Sequence, residues 1–194
     1  MLANTDITII KAAATCVAAI CVIELPKGMW NGILELLQNN ANSDDLNVRL
    51  ASVLTLGFIC EDIDPKYLSA EQLNFILPAV LMNVIPDQIP LTQIAMKAFA
   101  RAAPITEKNF EVPEQKEYIM QKIFEASKVN DEEVLSSVME GLNDIVRVNY
   151  DYIYPYIGQI GQLTIDLINS EHDKPAKLAI EVWSTISEVE QSRL

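Results

Sequence analysis

The sequence predicts an all-α fold in which pairs of helices stack into an α-α superhelix. Half of the 194 residues are hydrophobic, which is enough to build a core, and only 6 are glycine. No segment alternates polar and apolar residues between hairpin turns, as strands of a half-buried sheet do. Strongly apolar helical segments instead recur along the chain at a regular spacing.

The segment 44–64 shows most clearly what kind of helix recurs. Asp44 and Asp45 can cap a helix N-terminus, because their carboxylates accept hydrogen bonds from free backbone N–H groups. The run from 50 to 60 that follows is too apolar for a single stripe on a surface helix. The helix is therefore predicted to be buried over most of its girth, and an acidic cluster with Pro65 ends it.

Similar helix openings occur at five nearly evenly spaced places in the sequence. They are Ile10-Lys11, Val48-Arg49, Leu91-Thr92, Val134-Leu135 and Ala176-Lys177. Such a period, about 40 residues with two helices in each unit, is typical of HEAT or armadillo repeats. An ordinary helical bundle with coincidental spacing is the alternative interpretation.

This period predicts one HEAT-repeat solenoid segment over residues 1–194. It consists of an unpaired helix and four helix pairs, at residues 6–25, 27–63, 69–104, 113–149 and 152–190. A solenoid needs polar caps at its ends, and neither end of this sequence shows one. The chain is therefore expected to be a slice of a longer solenoid.

The first pair begins with an amphipathic segment at residues 29–40, followed by the buried helix described above. Trp30, Ile33, Leu36 and Leu37 are predicted to share one face of that segment. Trp30 and Trp183 are both interpreted as packing residues.

The second pair opens with a capping-box spacing, in which Ser69 and Gln72 satisfy each other's backbone donors. Its helices are predicted at residues 69–83 and 91–103, and Pro78 falls inside the first.

The third and fourth pairs each start near a proline, which is tolerated in a first helical turn. They are predicted as residues 113–128 with 132–148, and residues 152–169 with 174–189. Asn130 or Asp131 is expected as N-cap in the third pair, and Asp173 in the fourth.

The net charge of −13 argues against nucleic acid as a partner, because phosphates require basic residues. It favours a basic partner, or simply solubility. The apolar runs are expected to be too short for a membrane span, so no membrane insertion is predicted. Residues 1–6 lack the basic start of a secretory signal.

Cysteine usage indicates a reducing compartment. The chain has 3 cysteines, Cys16, Cys21 and Cys60, all within apolar helical runs. They are interpreted as buried free thiols, which places the protein in the cytoplasm or nucleus.

The sequence shows almost no recognisable pattern of catalytic or metal-binding residues. The one histidine, His172, is predicted to be solvated in a loop between helices. No Cys/His spacing suits zinc, no glycine-rich phosphate loop appears, and no nucleophile is paired with a base. The sequence therefore predicts no catalytic residue, no metal and no cofactor, and an enzyme with an unrecognised helical site is the least favoured class.

Four tracts point to a specific family: AATCVAAICVIELPKGMW, LGFICEDIDP, KNFEVPEQKEYIMQKIFEAS and LAIEVWSTISEVE. In this order, and over nearly the whole chain, they resemble the importin-β family of nuclear import receptors. The resemblance implies that the chain spans about the third to the seventh HEAT repeat, beginning at the second helix of the third.

The resemblance also implies a function as a transport receptor. Members of this family bind Phe-Gly repeats of nucleoporins on the outer face, between the first helices of adjacent repeats. They bind importin-α or basic cargo on the inner face, and the Ran GTPase releases that cargo. The expected location is the cytoplasm and nucleus, including the nuclear pore.

The best-known Phe-Gly slot of the family maps to the predicted first helices 69–83 and 113–128. Leu77 and Leu81 match the apolar pair on one side, and Tyr118 and Ile119 match the aromatic-aliphatic pair on the other. Gln115 stands on the rim, where the family has an acidic residue. Pro78, where the family has a small polar residue, is a second departure and is expected to affect that helix. The alternative role for Leu77, Leu81, Tyr118 and Ile119 is packing in the core of the solenoid.

The alternative function is a HEAT-repeat scaffold or regulatory subunit of a multiprotein complex, such as a phosphatase. Scaffolds of that type have more uniform repeats than this chain. A Phe-Gly peptide distinguishes the two functions, because only the transport receptor is expected to bind it.

Overall fold

The computed structural model describes residues 7–30 and 32–194, and in this part of the chain every regular element is helical. The all-α prediction is confirmed. The chain divides into two compact units, residues 1–102 and 103–194. Each unit contains helices that pack side by side in the pairwise manner of helical repeats.

The first unit contains five α-helices and two short 3-10 turns among its described residues. They are α1 (Ile7–Glu24), a turn at Leu25–Lys27, α2 (Ile33–Asn40), α3 (Leu46–Asp62), a turn at Pro65–Tyr67, α4 (Ala70–Leu81) and α5 (Ile89–Ala102). The second helices form one row, since α1 packs on α3 and α3 on α5. The first helices form another, in which α2 packs on α4.

The second unit repeats the arrangement. Its elements are a 3-10 turn at Ala103–Ile105, α6 (Glu107–Phe110), α7 (Pro113–Ala126), α8 (Glu132–Val148), 3-10 turns at Tyr150–Tyr152 and Tyr154–Tyr156, α9 (Ile157–Ile168) and α10 (Asp173–Gln191). The second helices α8 and α10 pack along each other, and each contacts the first helix of its own pair, α7 and α9 respectively.

The predicted burial of the reference helix is confirmed in α3, where almost every residue from Leu50 to Cys60 is buried. A Cβ atom added at Gly57 would lie 2.8 Å from the Cβ of Ala98 on α5, closer than real Cβ contacts come. The absence of a side chain at Gly57 therefore lets the two second helices approach each other this closely.

The helix caps follow the sequence signals. Asp45 accepts a hydrogen bond from the backbone N–H of Asn47 at 2.8 Å, and Asp131 caps α8 by accepting one from Val134 at 3.0 Å. Ser69 and Gln72 form the predicted capping box at the start of α4. Each cap satisfies backbone donors that the first helical turn leaves free.

Polar side chains connect neighbouring repeats at the repeat spacing. The Asn83 amide donates to the Ala41 carbonyl 42 residues earlier, at 3.0 Å. In the second unit, Asn149 donates to the Thr106 hydroxyl 43 residues earlier, and Thr185 to Asn143 42 residues earlier. These bonds join equivalent positions of successive pairs, which gives the sequence period a direct structural counterpart.

Two predicted helix starts and one predicted cap are wrong. Helix α2 begins at Ile33 rather than residue 29, because the chain turns at Gly28 and Trp30, both with positive φ. Helix α9 begins at Ile157 rather than residue 152, because 3-10 turns occupy the tyrosine-rich approach. Asp173 is the first residue of α10, and His172 is its N-cap. The predicted start of the first helix at residue 6 lies outside the described residues, as does residue 31 within the predicted segment 29–40.

Several burial predictions also need correction. Cys21 and Cys60 are buried free thiols as predicted, but Cys16 is exposed because it lies on the face of α1 away from α3. Trp30 and Trp183, interpreted as packing residues, keep 45% and 40% of their surface exposed, so neither is fully buried. The indole of Trp183 instead donates a hydrogen bond to the Thr164 hydroxyl at 3.0 Å.

The expectation that no apolar run could span a membrane was also wrong for α1. Together with the turn that follows, it forms a stretch of 21 residues, Ile7–Lys27, that is long and apolar enough to cross a bilayer by those criteria alone. In the structure α1 packs along α3 through Ile10, Ala14 and their neighbours. That packing is the arrangement expected for a helix of the repeat array.

A candidate peptide-binding groove between first helices

An open groove of about 1040 Å³ runs between α7 and α9 in the second unit. Both helices are first helices of successive pairs. Glu117, Gln121 and Phe124 contribute one stripe from α7, since they are spaced four and three residues apart and so share a helix face. Gln159 and Leu163 contribute the facing stripe from α9.

The floor of the groove is apolar and partly aromatic. It is lined by Phe124, Leu135, Tyr156, Leu163 and Leu167. The rings of Phe124 and Tyr156 are tilted by 41° with centroids 6.5 Å apart. Aromatic pairs prefer this kind of tilted contact, and it leaves ring surface available at the groove.

A hydrogen bond joins the two walls at the start of the groove. The Tyr156 hydroxyl donates to Oε2 of Glu117 at 2.7 Å. Burial, and then the hydrogen bond and negative charge of Glu117, raise the pKa of Tyr156 to about 12. The phenol is therefore neutral at physiological pH and acts as a donor.

The rim is polar, and its carboxylates already accept hydrogen bonds. On α7, Gln121 and Lys122 donate to the two oxygens of Glu125 at 2.9 and 2.8 Å. These bonds, that of Lys122 first, lower the pKa of Glu125. On α9, Gln162 donates to Asp166 at 2.8 Å. The carboxylates of Glu125 and Asp166 therefore lie beside the apolar floor, and each already accepts a hydrogen bond from its own helix.

The far end of the groove is closed by the two interhelix loops. Nε2 of His172 lies 2.8 Å from Oδ1 of Asn130, 42 residues earlier in the chain. His172 is half-buried at this contact, whereas the sequence predicted a solvated loop residue. The pair is another link between equivalent positions of successive repeats.

The chemistry of the groove is that of binding. An apolar floor with aromatic surface can accept an aromatic or aliphatic side chain, and amides along the rim can meet the backbone of an extended segment. Within residues 7–30 and 32–194 no three His, Cys, Asp or Glu side chains come together in a way that could hold a metal ion.

The five residues predicted for the Phe-Gly slot lie on α4 and α7, outside the lining of this groove. Leu77 and Leu81 on α4 and Ile119 on α7 are at most 2% exposed. Tyr118 keeps 37% of its surface exposed, with the Lys122 ammonium 6.0 Å from its ring centroid. Oε1 of Gln115 accepts a hydrogen bond from Asn109 at 2.8 Å.

The sequence interpretation did not single out the lining of the α7–α9 groove. A signal was present in the repeat itself: Gln121 and Glu125 on α7 have counterparts one repeat later, Gln162 and Asp166 on α9. Two matching pairs on successive first helices indicate that these faces have the same role in both repeats.

The comparisons with known proteins identify the repeat type. Importin subunit beta-1 of Saccharomyces cerevisiae is 32% identical over 97% of this chain. The solved structure of yeast importin-β (Kap95p) matches 97% of the chain at 32% identity, with a TM-score of 0.87. The chain belongs to the importin-β family. The predicted family and the HEAT-repeat fold class are confirmed.

Further relatives agree with the importin-β assignment. Importin subunit beta-1 of Arabidopsis thaliana is 28% identical over 93% of the chain. Kap95 in the Kap95:Nup1 complex matches at 32% identity with a TM-score of 0.85. Kap95p in a structure with RanGDP matches at 33% identity with a TM-score of 0.81. No family model matches the chain.

The importin-β match is extensive for this chain but partial for its relatives. The chain spans about a fifth of the relatives' length, 22% of the yeast protein and 21% of the Arabidopsis protein. Among the solved structures, it covers 23% of Kap95 in the Kap95:Nup1 complex. It covers 22% of the chain both in the yeast Kap95p structure and in the structure of Kap95p with RanGDP. Because 97% of the chain is matched, most of α1 lies within the importin-β repeats.

Proposed function

We propose that the chain is a segment of a nuclear transport receptor that binds Phe-Gly repeats of nucleoporins between the first helices of adjacent repeats. The observation that carries the proposal is the apolar-floored groove between α7 and α9 in a chain of the importin-β family. The likeness to Kap95 in the Kap95:Nup1 complex supports it. The function is binding, and no cofactor or catalytic group takes part.

The groove suits a weak and rapidly reversible contact. Burying one phenylalanine side chain contributes about 1.5–3 kcal/mol. Gln121 and Gln162 on the rim already donate hydrogen bonds to Glu125 and Asp166, so contacts from these amides to a peptide backbone would add little to this. A receptor that passes along many such repeats needs affinities of this low order at each site.

The slot predicted around Leu77, Leu81, Gln115, Tyr118 and Ile119 stays a second proposed Phe-Gly site. Tyr118 is the member with the largest exposed surface and is therefore the residue that a ligand ring would contact first. Leu77, Leu81 and Ile119 are buried within their own units.

The groove is tested by matched substitutions on α9. Leu163 lines the groove, whereas Ile165 is 55% exposed on the same helix and does not line it. We expect Leu163→Asp to abolish the NMR shift changes that a short Phe-Gly peptide causes along the α7–α9 groove, because a carboxylate in an apolar floor is costly. Ile165→Asp should bind like the wild type. Equal binding by both variants would exclude this groove as the site.

The second slot is tested at Tyr118. Tyr118→Ala removes the exposed ring of the predicted slot, and Tyr154→Ala is the matched control because Tyr154 is 82% exposed and lies outside the groove lining. We expect peptide-induced shifts on α4 and the start of α7 to disappear in the first variant only. Unchanged shifts in Tyr118→Ala would remove this slot from the proposal.

The other partners belong to the longer receptor. We propose Ran GTPase and importin-α or basic cargo as its partners, with shuttling between cytoplasm and nucleus through the pore. The likeness to Kap95p with RanGDP and the net charge of −13 support this assignment. Calorimetry of the longer receptor with Ran and with a basic peptide tests it, and no heat of binding with either would contradict it.

A further inference from the structure

The hydrogen bond between Glu117 and Tyr156 is a direct polar link between the wall of α7 and the approach to α9. Glu117 lies in the second turn of α7 and is exposed. Tyr156 ends the 3-10 turn before α9, and its side chain is only 8% exposed. The bond joins residues 39 positions apart and so connects two successive repeats.

Two contacts fix the orientation of the Tyr156 ring. Its hydroxyl end is held by the Glu117 carboxylate at 2.7 Å, and its ring lies against Phe124 at a centroid distance of 6.5 Å. A hydrogen bond to a carboxylate is shorter and stronger than one between neutral groups. The Glu117 carboxylate therefore holds the polar end of this ring, and Phe124 lies beside the ring itself.

We propose that Glu117 is a positioning residue: it holds Tyr156 as a fixed wall of the groove, so that the site for an incoming aromatic ring exists before the ligand arrives. The inference rests on the proposed Phe-Gly binding by the α7–α9 groove. A preformed wall avoids the entropy cost of ordering a side chain during binding. Without Glu117 the phenol turns toward water, and the ligand has to order the ring again.

Substitutions at Glu117 separate the hydrogen bond from the charge. Glu117→Gln keeps an acceptor oxygen within reach of the phenol and removes the charge. Glu117→Leu removes both and keeps a side chain of similar size. Tyr156→Phe keeps the ring and removes the donor. Glu114→Leu is the matched control, because Glu114 lies in the first turn of α7, is exposed and does not line the groove.

The experiment measures the dissociation constant of a short Phe-Gly peptide by NMR titration for each variant. Loss of the hydrogen bond should weaken binding about three- to ten-fold in Glu117→Leu and in Tyr156→Phe. Glu117→Gln and Glu114→Leu should stay within about two-fold of the wild type. The double variant Glu117→Leu/Tyr156→Phe should bind no more weakly than either single variant, because both changes remove the same bond.

A second measurement reports on the link itself. The pKa of Tyr156, followed by the NMR signal of its labelled ring carbon, should fall in Glu117→Leu because Glu117 helps to raise it. The signal is assigned by its absence in Tyr156→Phe. Thermal unfolding of each variant identifies any that fail to fold. If Glu117→Leu fails to fold, the inference is tested by comparing the peptide affinity of Tyr156→Phe with those of the wild type and Glu117→Gln.

Three results would overturn the inference. The first is unchanged peptide affinity in Glu117→Leu although the pKa of Tyr156 has fallen. The second is additive loss in the double variant, which would mean that Glu117 acts independently of Tyr156. The third is a wild-type chain that binds no Phe-Gly peptide at all, which would refute the proposed function and this inference together. The first two leave the proposed function intact.

Discussion

At the scale of single residues, burial determines the chemistry of the three cysteines. Cys16 is exposed on α1, whereas burial raises the pKa of Cys21 to about 11 and that of Cys60 to about 12. Only a thiolate reacts quickly with a disulfide reagent, so a raised pKa and poor access both slow the reaction. The three thiols should therefore differ strongly in reactivity although all lie in similar apolar runs.

We expect one fast-reacting thiol in the folded protein. At pH 8, a colorimetric disulfide reagent should modify Cys16 quickly and the two buried thiols slowly, and all three should react after unfolding in denaturant. Cys16→Ser should remove the fast phase, and Cys60→Ser should leave it unchanged. A fast phase that persists in Cys16→Ser would contradict the burial pattern.

The burial of a residue could be predicted from the sequence where it depends on one helix alone. It could not be predicted where it depends on how two helices pack against each other. The burial of α3 follows from its own apolar run. Cys16 lies in an equally apolar run, but its exposure depends on which face of α1 meets α3. Tyr156 and Glu117 are 39 residues apart, and only the packing of successive repeats brings them together.

At the scale of secondary-structure elements, helix starts could be predicted wherever a side-chain cap marks them. Helix α8 begins at the predicted residue Glu132, where Asp131 caps it, and also ends at the predicted residue Val148. Helix α2 lacks a side-chain cap, and its predicted start was wrong by four residues because Trp30 adopts a positive φ. A non-glycine residue in that conformation is not readable from composition.

The cap at the start of α4 gives a quantitative prediction. Ser69 accepts a hydrogen bond from the Gln72 backbone at 3.2 Å, and the Gln72 side chain accepts one from the Ser69 backbone at 2.8 Å. Ser69→Ala should lower the free energy of unfolding by about 1 kcal/mol, because one N-terminal donor loses its partner. Urea denaturation measures the change.

The control for this cap is Ser184→Ala, which removes an exposed hydroxyl from the interior of α10. Alanine has the higher helix propensity, so this variant should be as stable as the wild type or slightly more stable. A loss at Ser184 as large as that at Ser69 would mean that the capping box contributes nothing specific.

At the scale of the whole molecule, the repeat period was the most informative sequence feature. It reflects a physical constraint, since each helix pair buries its apolar faces only against its neighbours and must therefore present equivalent residues at equivalent positions. The bonds from Asn83 to Ala41 and from Thr185 to Asn143, each across 42 residues, show this equivalence in polar contacts. The period alone does not distinguish the groove from the core, because the same spacing serves core and surface alike; only the repeated polar pairs, Gln121 with Glu125 and Gln162 with Asp166, mark the groove.

The division into two units gives a test that separates the two proposed Phe-Gly sites. Every residue that lines the α7–α9 groove lies between 117 and 172, within the unit 103–194. The second proposed slot also draws on Leu77 and Leu81, which belong to the unit 1–102. We therefore expect residues 103–194, produced alone, to fold and to keep a binding site for a Phe-Gly peptide.

Circular dichroism establishes whether residues 103–194 are helical and unfold cooperatively, and NMR titration then compares their peptide affinity with that of the whole chain. An affinity within about three-fold of the whole chain, lost in Leu163→Asp, would place binding in the groove. A folded fragment that binds nothing, beside a whole chain that binds and loses binding in Tyr118→Ala, would assign the contact to the second slot. The groove would then be an unoccupied seam between first helices, and the positioning role of Glu117 would fall with it.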